Sequence, residues 1–384
     1  MMATSESLVA ETKWLDLYTA LIIPAEAVPQ GAHGVPLGLE ALVTGIFSSS
    51  GMLHNVEKSS ITNLRNVVSS ARRQYNDNKY HCFLHASHVL VNCAKILDDI
   101  VRHQPSFPRV EGLALLFAAL IHDVGHLGVS NATLSRESHR LAILYSDQSV
   151  AEMNSLACAF QMLELPEHDI LGGYSQDERI TFRGIVIDLV LSTNVCDKER
   201  QQQLRNKFES ASRCKLNGDR VDLAIPSNRL AVFNLIIRAA DVGAQMQNEK
   251  TAGIWSYRFF LEQQEAREAG RAPQSDTEAF CLEQGKFMER HAAVLAAALQ
   301  STGNLSASLS CDILESTHRN LAVWGVEGPA IVETWCTKSQ AGPCRGGQGG
   351  IGSQGGNRQQ GVAPFLPPWG PKSPKRPKCP KGPA

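Results

Sequence analysis

The sequence predicts an all-α protein with roughly a dozen or more helices. Apolar residues recur at helical spacing in LEALVTGIF, VLVNCAKILDDIV, LALLFAALIHDV, ITFRGIVIDLVLSTNV and RLAVFNLIIRAADV. Alternating β-branched stretches, which would indicate strands, are rare. The chain has 384 residues and is 43% hydrophobic, which is enough for a sizeable core in one large domain or two small ones.

Loop signals separate these helical segments. NDNKYH and SNATLS contain residues that are favoured in loops and at helix starts. LNGDRVDLAIPSNR predicts a loop before a helix capped near Ser227 or Asn228. The pattern therefore predicts that a helix begins just before the segment RLAVFNLIIRAADV.

The C-terminal segment differs in composition from the rest of the chain. Residues 341–384 are rich in Gly, Pro, Gln, Lys and Arg and contain no acid. Such a segment cannot offset its own ordering entropy, so a disordered tail is expected. A basic, Pro-rich tail could contact an acidic membrane or an SH3-type domain, but a solvated tail is the simpler interpretation and its partner is unassigned. The remaining body is acidic overall, which argues against nucleic-acid binding.

The cysteines and the N-terminal sequence indicate the cellular compartment of the protein. The ten cysteines form no C-x-x-C pair and mostly lie in apolar helical segments. They predict buried free thiols in a reducing compartment, and hence a cytoplasmic, intracellular protein. MMATSESLVAETKW lacks the basic and apolar regions of a secretory signal. The longest apolar run, LALLFAALI, is too short to cross a bilayer, so no transmembrane segment is expected.

Four residues from three apolar segments predict a metal site inside the helical core. These are His85 in YHCFLHASHV, His122 and Asp123 in LIHDVGHLGVSN, and Asp241 in LIIRAADVG. Imidazole and carboxylate are usual ligands of divalent metals, and two of each leave coordination positions open for water or substrate. A carboxylate such as Asp123 can bridge two metals that activate a shared water. An HD dipeptide alone is a weak signal, and an unconnected core His–Asp pair is the alternative.

His81 lies one helical turn before His85 and therefore on the same face of the helix. At the rim of a metal site, it would suit a general acid that protonates a leaving oxygen. The alternative is a partly buried histidine that is hydrogen-bonded to a neighbour.

Seven motifs, in order and with similar gaps, resemble the class I cyclic nucleotide phosphodiesterase catalytic domain. YHCFLHASHV resembles the family's YHNxxHAxDV, LIHDVGHLGVSN its IHDxxHxGxxN, and LAILYSDQSVAE its LAxxYNDxSVLE. Four further segments resemble the family's motifs. IDLVLSTNV resembles IDxVLxTDM, RAADV resembles xxADL, LEQGKFM resembles QxGFI, and NLAVW resembles NxxxW. The resemblance covers residues 12–336 and implies a compact, multi-helix single domain of the HD-domain type. Residues 1–11 would then be an N-terminal extension and 337–384 the tail.

The resemblance implies a two-metal centre. The ligands of a first metal, usually zinc, correspond to His85, His122, Asp123 and Asp241. Asp123 also matches the bridging ligand to a second metal, magnesium or manganese. The groups that hold waters of the second metal correspond to His126, Glu152 and Thr193.

The resemblance also implies an activity. A hydroxide between the two metals would attack phosphorus and convert a 3′,5′-cyclic nucleotide, cAMP and/or cGMP, to the 5′-monophosphate. His81 matches the general acid that protonates the departing O3′. Gln284 matches the glutamine that hydrogen-bonds the purine edge, Phe287 the aromatic that stacks on the purine, and Tyr80 fits a pocket wall. Taken alone, Gln284 would be an exposed helix glutamine and Phe287 a core aromatic. An amide can present its donor or its acceptor, so no preference between cAMP and cGMP is predicted.

The chain departs from the family's motifs at several positions. Asn154 and Ser155 replace the two histidines of LENHH, and Asn194 replaces the aspartate of TDM. Ala244-Gln245 replaces the Asn-Pro after the last ligand motif, and Cys82 replaces the asparagine of YHN. RFFLEQQ stands in place of EFFxQGD. Two alternatives therefore stay open. One is an HD-type phosphohydrolase of a non-cyclic nucleotide, which needs no Gln284 and Phe287. The other is a catalytically impaired regulatory relative, which the changes at 154, 155 and 194 favour.

Overall fold

The protein is almost entirely helical in the residues that the computed structural model describes, which are 38–53, 58–103, 108–216 and 219–340. The prediction of an all-α, multi-helix fold is confirmed. The extension predicted at 1–11, the first part of the predicted domain up to residue 37, and the tail beyond residue 340 lie outside the described residues.

Fourteen α-helices are numbered here in chain order across those described ranges. The first seven are α1 Leu39–Ser49, α2 Lys58–Gln74, α3 Phe83–His103, α4 Arg109–Ile121, α5 Asn131–Arg136, α6 Arg140–Leu144 and α7 Val150–Leu163. The others are α8 Gln176–Ser192, α9 Lys198–Arg213, α10 Pro226–Asp241, α11 Glu249–Glu268, α12 Thr277–Phe287, α13 Ala293–Ser301 and α14 Ala307–Gln340. Two 3₁₀ turns, Pro166–His168 and Gly243–Met246, and a π-helical segment, Met288–Ala292, connect some of them. A short antiparallel pair joins β1 Lys215–Leu216 to β2 Arg220–Val221, with Lys215 opposite Val221.

Helix α4 lies inside the core because it is apolar on every side. Apart from Glu111, every residue from Val110 to Ile121 is buried. A helix of this kind cannot lie at a surface, and it packs against α3, α7, α8 and α10. Because α4 ends at Ile121, His122 and Asp123 follow it at a buried point in the protein.

Helix α10 carries a predicted metal ligand at its last residue. It begins at Pro226, slightly before the predicted caps at Ser227 and Asn228. Proline is favoured at this position because its missing N–H would have no partner within the helix. In the first turn, the guanidinium of Arg229 donates to both carboxylate oxygens of Glu111, at 2.8 and 2.7 Å. This pair ties the start of α10 to the start of α4, and α10 then runs through the core to Asp241.

A second apolar cluster joins α11, α12 and α14. It includes Phe280, Trp324 and Trp335, and the ring centroids of the two tryptophans are 5.8 Å apart. Helix α14 continues to Gln340, slightly past the domain boundary predicted at Cys336.

The described cysteines are free thiols but are not uniformly buried. Cys82, Cys93 and Cys281 are buried, whereas three others are exposed at the surface: Cys196, Cys214 and Cys311. The expectation of buried thiols is therefore wrong for these three, which lie at helix ends or on a polar helix face where the apolar pattern is weak. Across the described ranges, no helix combines the length and apolar character needed to cross a bilayer.

Candidate metal centre and active site

The four predicted metal ligands meet where three helices converge. His85 is in the first turn of α3, His122 and Asp123 follow α4, and Asp241 ends α10. Nε2 of His85 lies 3.0 Å from Oδ1 of Asp241 and 3.8 Å from Oδ2 of Asp123. Nε2 of His122 lies 3.2 Å from Oδ2 of Asp123 and 3.5 Å from Oδ1 of Asp241. Both imidazoles are 1% exposed, so these polar groups form one buried cluster.

The chemistry of the cluster fits a divalent cation. Nδ1 of His122 lies 3.0 Å from the carbonyl oxygen of Ala119, which orients the ring so that Nε2 faces the carboxylates. That buried Nε2 faces the carboxylates of Asp123 and Asp241, at 3.2 and 3.5 Å, and no other polar partner among the described residues. Two imidazoles and two carboxylates are a donor set that zinc accepts. These four residues are therefore suited to hold a metal ion.

The electrostatics of the cluster also favour a positive charge between the acids. Burial raises the pKa of the Asp241 carboxyl, but hydrogen bonds from His122 and His85 outweigh burial and hold that pKa well below its usual range. Burial acts in the same way on Asp123, and the nearby His122 lowers the pKa of this carboxyl. Burial lowers the pKa of His122, but Asp123 raises it further, so its net shift is upward. Both carboxyls are thus ionised, which is the form that metal binding requires.

His81 is held by a buried carboxylate that the sequence analysis missed. Its Nδ1 is hydrogen-bonded to Oε1 of Glu262. The other oxygen of Glu262 accepts the backbone N–H groups of Tyr80 at 2.7 Å and His81 at 2.9 Å. Burial lowers the pKa of His81, but the charge of Glu262 outweighs it and raises the pKa to about 9. His81 is therefore protonated at neutral pH, as a general acid must be.

Glu262 was missed because nothing local marks it. It lies in α11, in the segment RFFLEQQ that departs from the family's motif, and it resembles the other polar residues around it. In the structure its side chain is only 3% exposed. Its partner His81 is 181 residues away along the chain, so only the tertiary structure reveals the pair.

Two of the three predicted water-holding residues, His126 and Glu152, are close enough to Asp123 for their charges to interact with it. The ring of His126 stacks on that of His81 with centroids 3.9 Å apart, and its Nδ1 accepts the N–H of Gly128 at 3.1 Å. Glu152 accepts a hydrogen bond from Nδ2 of Asn131 at 2.9 Å. Thr193 donates to the carbonyl of Val190 at 2.8 Å. Among the described residues, none of the three candidates is hydrogen-bonded directly to the four-residue cluster, and their role in holding water stays a prediction.

The predicted substrate residues lie on α12 and in the loop before α3. The ring of Tyr80 packs 4.5 Å from the ring of His85 and 5.4 Å from that of Phe259, so Tyr80 forms a wall beside the metal cluster. Gln284 is only 8% exposed, which excludes the simple alternative of an exposed helix glutamine. Phe287, one turn later, is half-buried, with its ring 5.0 Å from that of His291. The contacts of Gln284 and Phe287 with a base remain predictions.

The sequence profile of the 3′5′-cyclic nucleotide phosphodiesterase family matches residues 80–302. The chain belongs to this family. The resemblance inferred from the seven motifs is confirmed, and membership of the family implies the use of divalent metal ions, for which the cluster described above provides the ligands.

Curated relatives and solved structures agree with this assignment to the phosphodiesterase family. The chain is 32% identical over 189 residues to the probable 3′,5′-cyclic-AMP phosphodiesterase pde-4 of Caenorhabditis elegans, covering 49% of this chain and 28% of the relative. It is 29% identical over 237 residues to the mouse 3′,5′-cyclic-AMP phosphodiesterase 4C, covering 60% and 34%. The aligned segments thus span about a third of these relatives. The phosphodiesterase domain of the RhoPDE fusion protein from Salpingoeca rosetta has the same fold, with a TM-score of 0.66, 24% identity, and coverage of 84% of this chain and 99% of that one.

Residues that depart from the phosphodiesterase motifs have structural partners of their own. Ser155 is fully buried and donates to the carbonyl of Val124, 2.9 Å away, which fixes the loop after Asp123 against α7. Asn194 donates to the hydroxyl of Ser149 at 3.0 Å, just before α7 begins. Both side chains therefore form hydrogen bonds with the segments that flank α7.

Two further departures lie beside the predicted substrate region. Gln245, which follows Ala244 in place of the motif's Asn-Pro, is buried and donates to the hydroxyl of Ser256 at 3.0 Å. Cys82 lies 3.6 Å from the guanidinium of Arg258. Neither side chain contacts the predicted metal ligands through a hydrogen bond in the described part of the protein.

Gly125, in the loop between Asp123 and His126, has a φ of +74°. A Cβ there would lie 2.7 Å from Nδ2 of Asn154, which can shift, but the left-handed backbone would stay strained. We therefore expect Gly125→Ala to lower the free energy of unfolding by about 1–2 kcal/mol, measured by urea denaturation. Gly184→Ala is the control, because a Cβ in the exposed middle of α8 meets nothing within 4 Å. That variant should be slightly stabilised. Equal effects of the two variants would contradict the assigned backbone strain.

Proposed function

We propose that this chain is a metal-dependent hydrolase that converts a 3′,5′-cyclic nucleotide, cAMP and/or cGMP, to the nucleoside 5′-monophosphate. The observation that carries the proposal is the buried cluster of His85, His122, Asp123 and Asp241 in a chain of the cyclic nucleotide phosphodiesterase family. Turnover of purified protein with cAMP and cGMP, with and without a chelator, tests it. Absence of chelator-sensitive turnover of both nucleotides would contradict it.

The donor set favours zinc at the first position, with magnesium or manganese sharing Asp123 at a second. Bound ions of this kind activate water and neutralise charge on phosphoryl oxygens. In our proposal, the residues that orient waters around the second ion are His126, Glu152 and Thr193. For His126 and Glu152 the support is their electrostatic interaction with Asp123.

His81 is proposed to donate the proton that the leaving O3′ needs. Glu262 accepts the hydrogen bond from Nδ1, so Nε2 is left for the substrate oxygen. Glu262 is also fixed by two backbone N–H groups, which prevents the carboxylate from turning towards the metal cluster. It therefore positions the imidazole ring and keeps it protonated.

Gln284, Phe287 and Tyr80 are proposed to hold the nucleotide. The support is the burial of Gln284, whose amide can both donate to and accept from a purine edge. Phe287 on the same helix face would cover the flat base. Tyr80, whose ring packs against that of His85, would form a wall of the pocket beside the metal cluster.

Gln284→Ala is expected to raise KM for cyclic purine nucleotides by about an order of magnitude or more, because each unsatisfied group costs roughly 1–3 kcal/mol. Initial-rate kinetics measure the effect. Glu283→Ala, an exposed neighbour on α12, is the matched control and should leave KM unchanged. Metal content and hydrolysis of bis(p-nitrophenyl) phosphate, which has no purine edge, should be unaffected. Equal losses with all substrates would show that Gln284 supports the fold instead.

Two other functions are separated by the same assays. A catalytically impaired regulatory relative is favoured by the replacements at Asn154, Ser155 and Asn194, which put other groups where the family has histidines and an aspartate. It would bind metal or nucleotide without turnover. An HD-type phosphohydrolase would hydrolyse a non-cyclic nucleotide and be insensitive to Gln284→Ala.

We further propose that the catalytic domain extends from residue 12 to about 336, between an extension at 1–11 and the tail, and that the protein is cytoplasmic. The support for a reducing location is the set of exposed free thiols at Cys196, Cys214 and Cys311. No partner is assigned to the tail.

A further inference from the structure

A separate cavity of about 470 Å³ lies between α9, α10, the π-helical segment and α13. Ligand sites in proteins typically enclose about 300–1,000 Å³. None of the predicted metal, catalytic or substrate residues lines this cavity. Its lining therefore differs from that of the centre described above, which it adjoins: His291 packs against Phe287, and α10 contributes both to the cavity and, at Asp241, to the metal cluster.

Positive charge accumulates in the cavity with little to balance it. Its cationic lining residues are Lys198, Arg205, Arg238 and Arg290, with His291 beside them, and its single acidic lining residue in the described structure is Glu209. The nearby carboxylate of Asp188 is already bound by Arg200 at 2.7 Å.

The basic groups repel one another. Burial and the neighbouring Arg205 lower the pKa of Arg238 to about 10. Burial, Arg238 and Arg290 likewise lower the pKa of His291. Such mutual repulsion is costly for the free protein, and an anion placed among these groups would relieve it.

Two buried polar atoms in the cavity lack partners. Nε of Arg238 and Oδ1 of Asn234 are both buried, and neither forms a hydrogen bond among the described residues. The remaining contacts of Arg238 orient it, because one of its Nη atoms donates to the Gln201 side chain. Such unpaired buried atoms are unfavourable and show that the polar groups of the lining do not satisfy one another.

The rest of the lining is apolar and shaped by an irregular helix. Leu204, Phe208, Leu235 and Leu295 supply a hydrophobic wall. The π-helical segment Met288–Ala292 adds one residue to the turn and carries Arg290 and His291, both of which line the cavity. π-helical turns of this kind are frequent at functional sites.

We propose that this cavity is a binding site for a phosphate-bearing ligand of nucleotide size. The phosphates lie among Arg205, Arg238 and Arg290, where guanidinium groups can bind them through paired hydrogen bonds. The flat, less polar part of the ligand lies on the wall formed by Leu204 and Phe208. The site acts beside the proposed hydrolysis and does not depend on it.

The test is isothermal titration of the full-length, metal-loaded protein with ADP at constant ionic strength. A phosphorothioate analogue of the cyclic nucleotide is present at saturation to occupy the metal centre. We expect saturable binding of one ADP. Arg205→Gln combined with Arg290→Gln should weaken ADP binding at least tenfold, because both guanidinium groups are proposed to bind the phosphates. Both side chains are exposed, so the double substitution should leave the fold intact. Adenosine, which lacks phosphate, should bind at least tenfold more weakly than ADP.

Matched controls separate this site from general charge attraction. Arg65→Gln combined with Arg140→Gln removes the same charge from two exposed positions outside the cavity and should leave ADP affinity unchanged. Equal weakening by both double variants, or no saturable ADP binding, would overturn the proposal. Inorganic phosphate that binds as tightly as ADP would also overturn it, because the cavity would then hold an adventitious ion only. Because the experiment measures binding, it tests the cavity even if the protein does not hydrolyse cyclic nucleotides.

Discussion

Asp123→Ala is expected to remove both bound metal and hydrolysis. Its carboxylate is one of two in the buried cluster, within 3.2 Å of Nε2 of His122 and 3.8 Å of Nε2 of His85. Loss of a group that only supports a ligand typically costs about 10–100-fold in affinity or activity. Loss of the ligand itself should therefore lower kcat/KM for the cyclic nucleotide more than about 100-fold. Elemental analysis of the purified variant and steady-state kinetics measure the two effects.

The control for this variant is Asp312→Ala, an exposed acid on α14 far along the chain from the cluster. It should retain full metal content and turnover. An Asp123→Ala protein that hydrolyses the substrate at the wild-type rate would rule out the metal centre as the site of reaction. Retained metal with lost turnover would instead place Asp123 in contact with substrate or water alone.

His81→Ala is expected to lower kcat by about 10²–10⁴ while bound metal stays at the wild-type level. The reason is that the protonated imidazole held by Glu262 is the proposed proton donor to O3′, and water is a poorer donor at neutral pH. The fall in kcat should nearly disappear when the substrate is bis(p-nitrophenyl) phosphate, because nitrophenolate leaves without protonation. Measuring kcat with both substrates distinguishes this role from a structural one.

Glu262→Gln provides an intermediate variant in the same experiment. An amide oxygen can still accept from Nδ1 of His81, but the amide N–H₂ would face the backbone N–H groups of Tyr80 and His81. We expect a smaller fall in kcat than for His81→Ala, again confined to the cyclic nucleotide. Loss of metal from His81→Ala would make this histidine a ligand and contradict the assignment.

Much of the fold was predictable because its signals are local. The helical spacing of apolar residues predicts the helices, and the continuous apolar character of α4 accounts for its burial. The i, i+4 spacing and the HD pair identified residues that the structure brings together in one cluster. The start of α10 was placed slightly late because Pro226 begins the helix without a side-chain cap.

The remaining features of the site depend on contacts between distant segments. Glu262 becomes a buried partner of His81 only because α11 packs back against the loop before α3. Arg238 and Arg290 lie on different helices, and no sequence pattern indicates that they line the same cavity. The π-helical turn that carries Arg290 likewise has no sequence signature that we can identify.

The distance along the chain between the residues of the metal cluster has a consequence during synthesis. His85 and Asp241, which lie 3.0 Å apart in the folded protein, are separated by 156 residues in sequence. At roughly 5–20 residues per second, a ribosome needs on the order of 10–30 s to proceed from the first to the second. In that interval the emerging polypeptide offers first one imidazole and then, once His122 and Asp123 have been added, two imidazoles and one carboxylate, but not the complete ligand set. The complete ligand set is therefore available only after Asp241 has been synthesised, and Glu262, the partner of His81, is added to the chain later still.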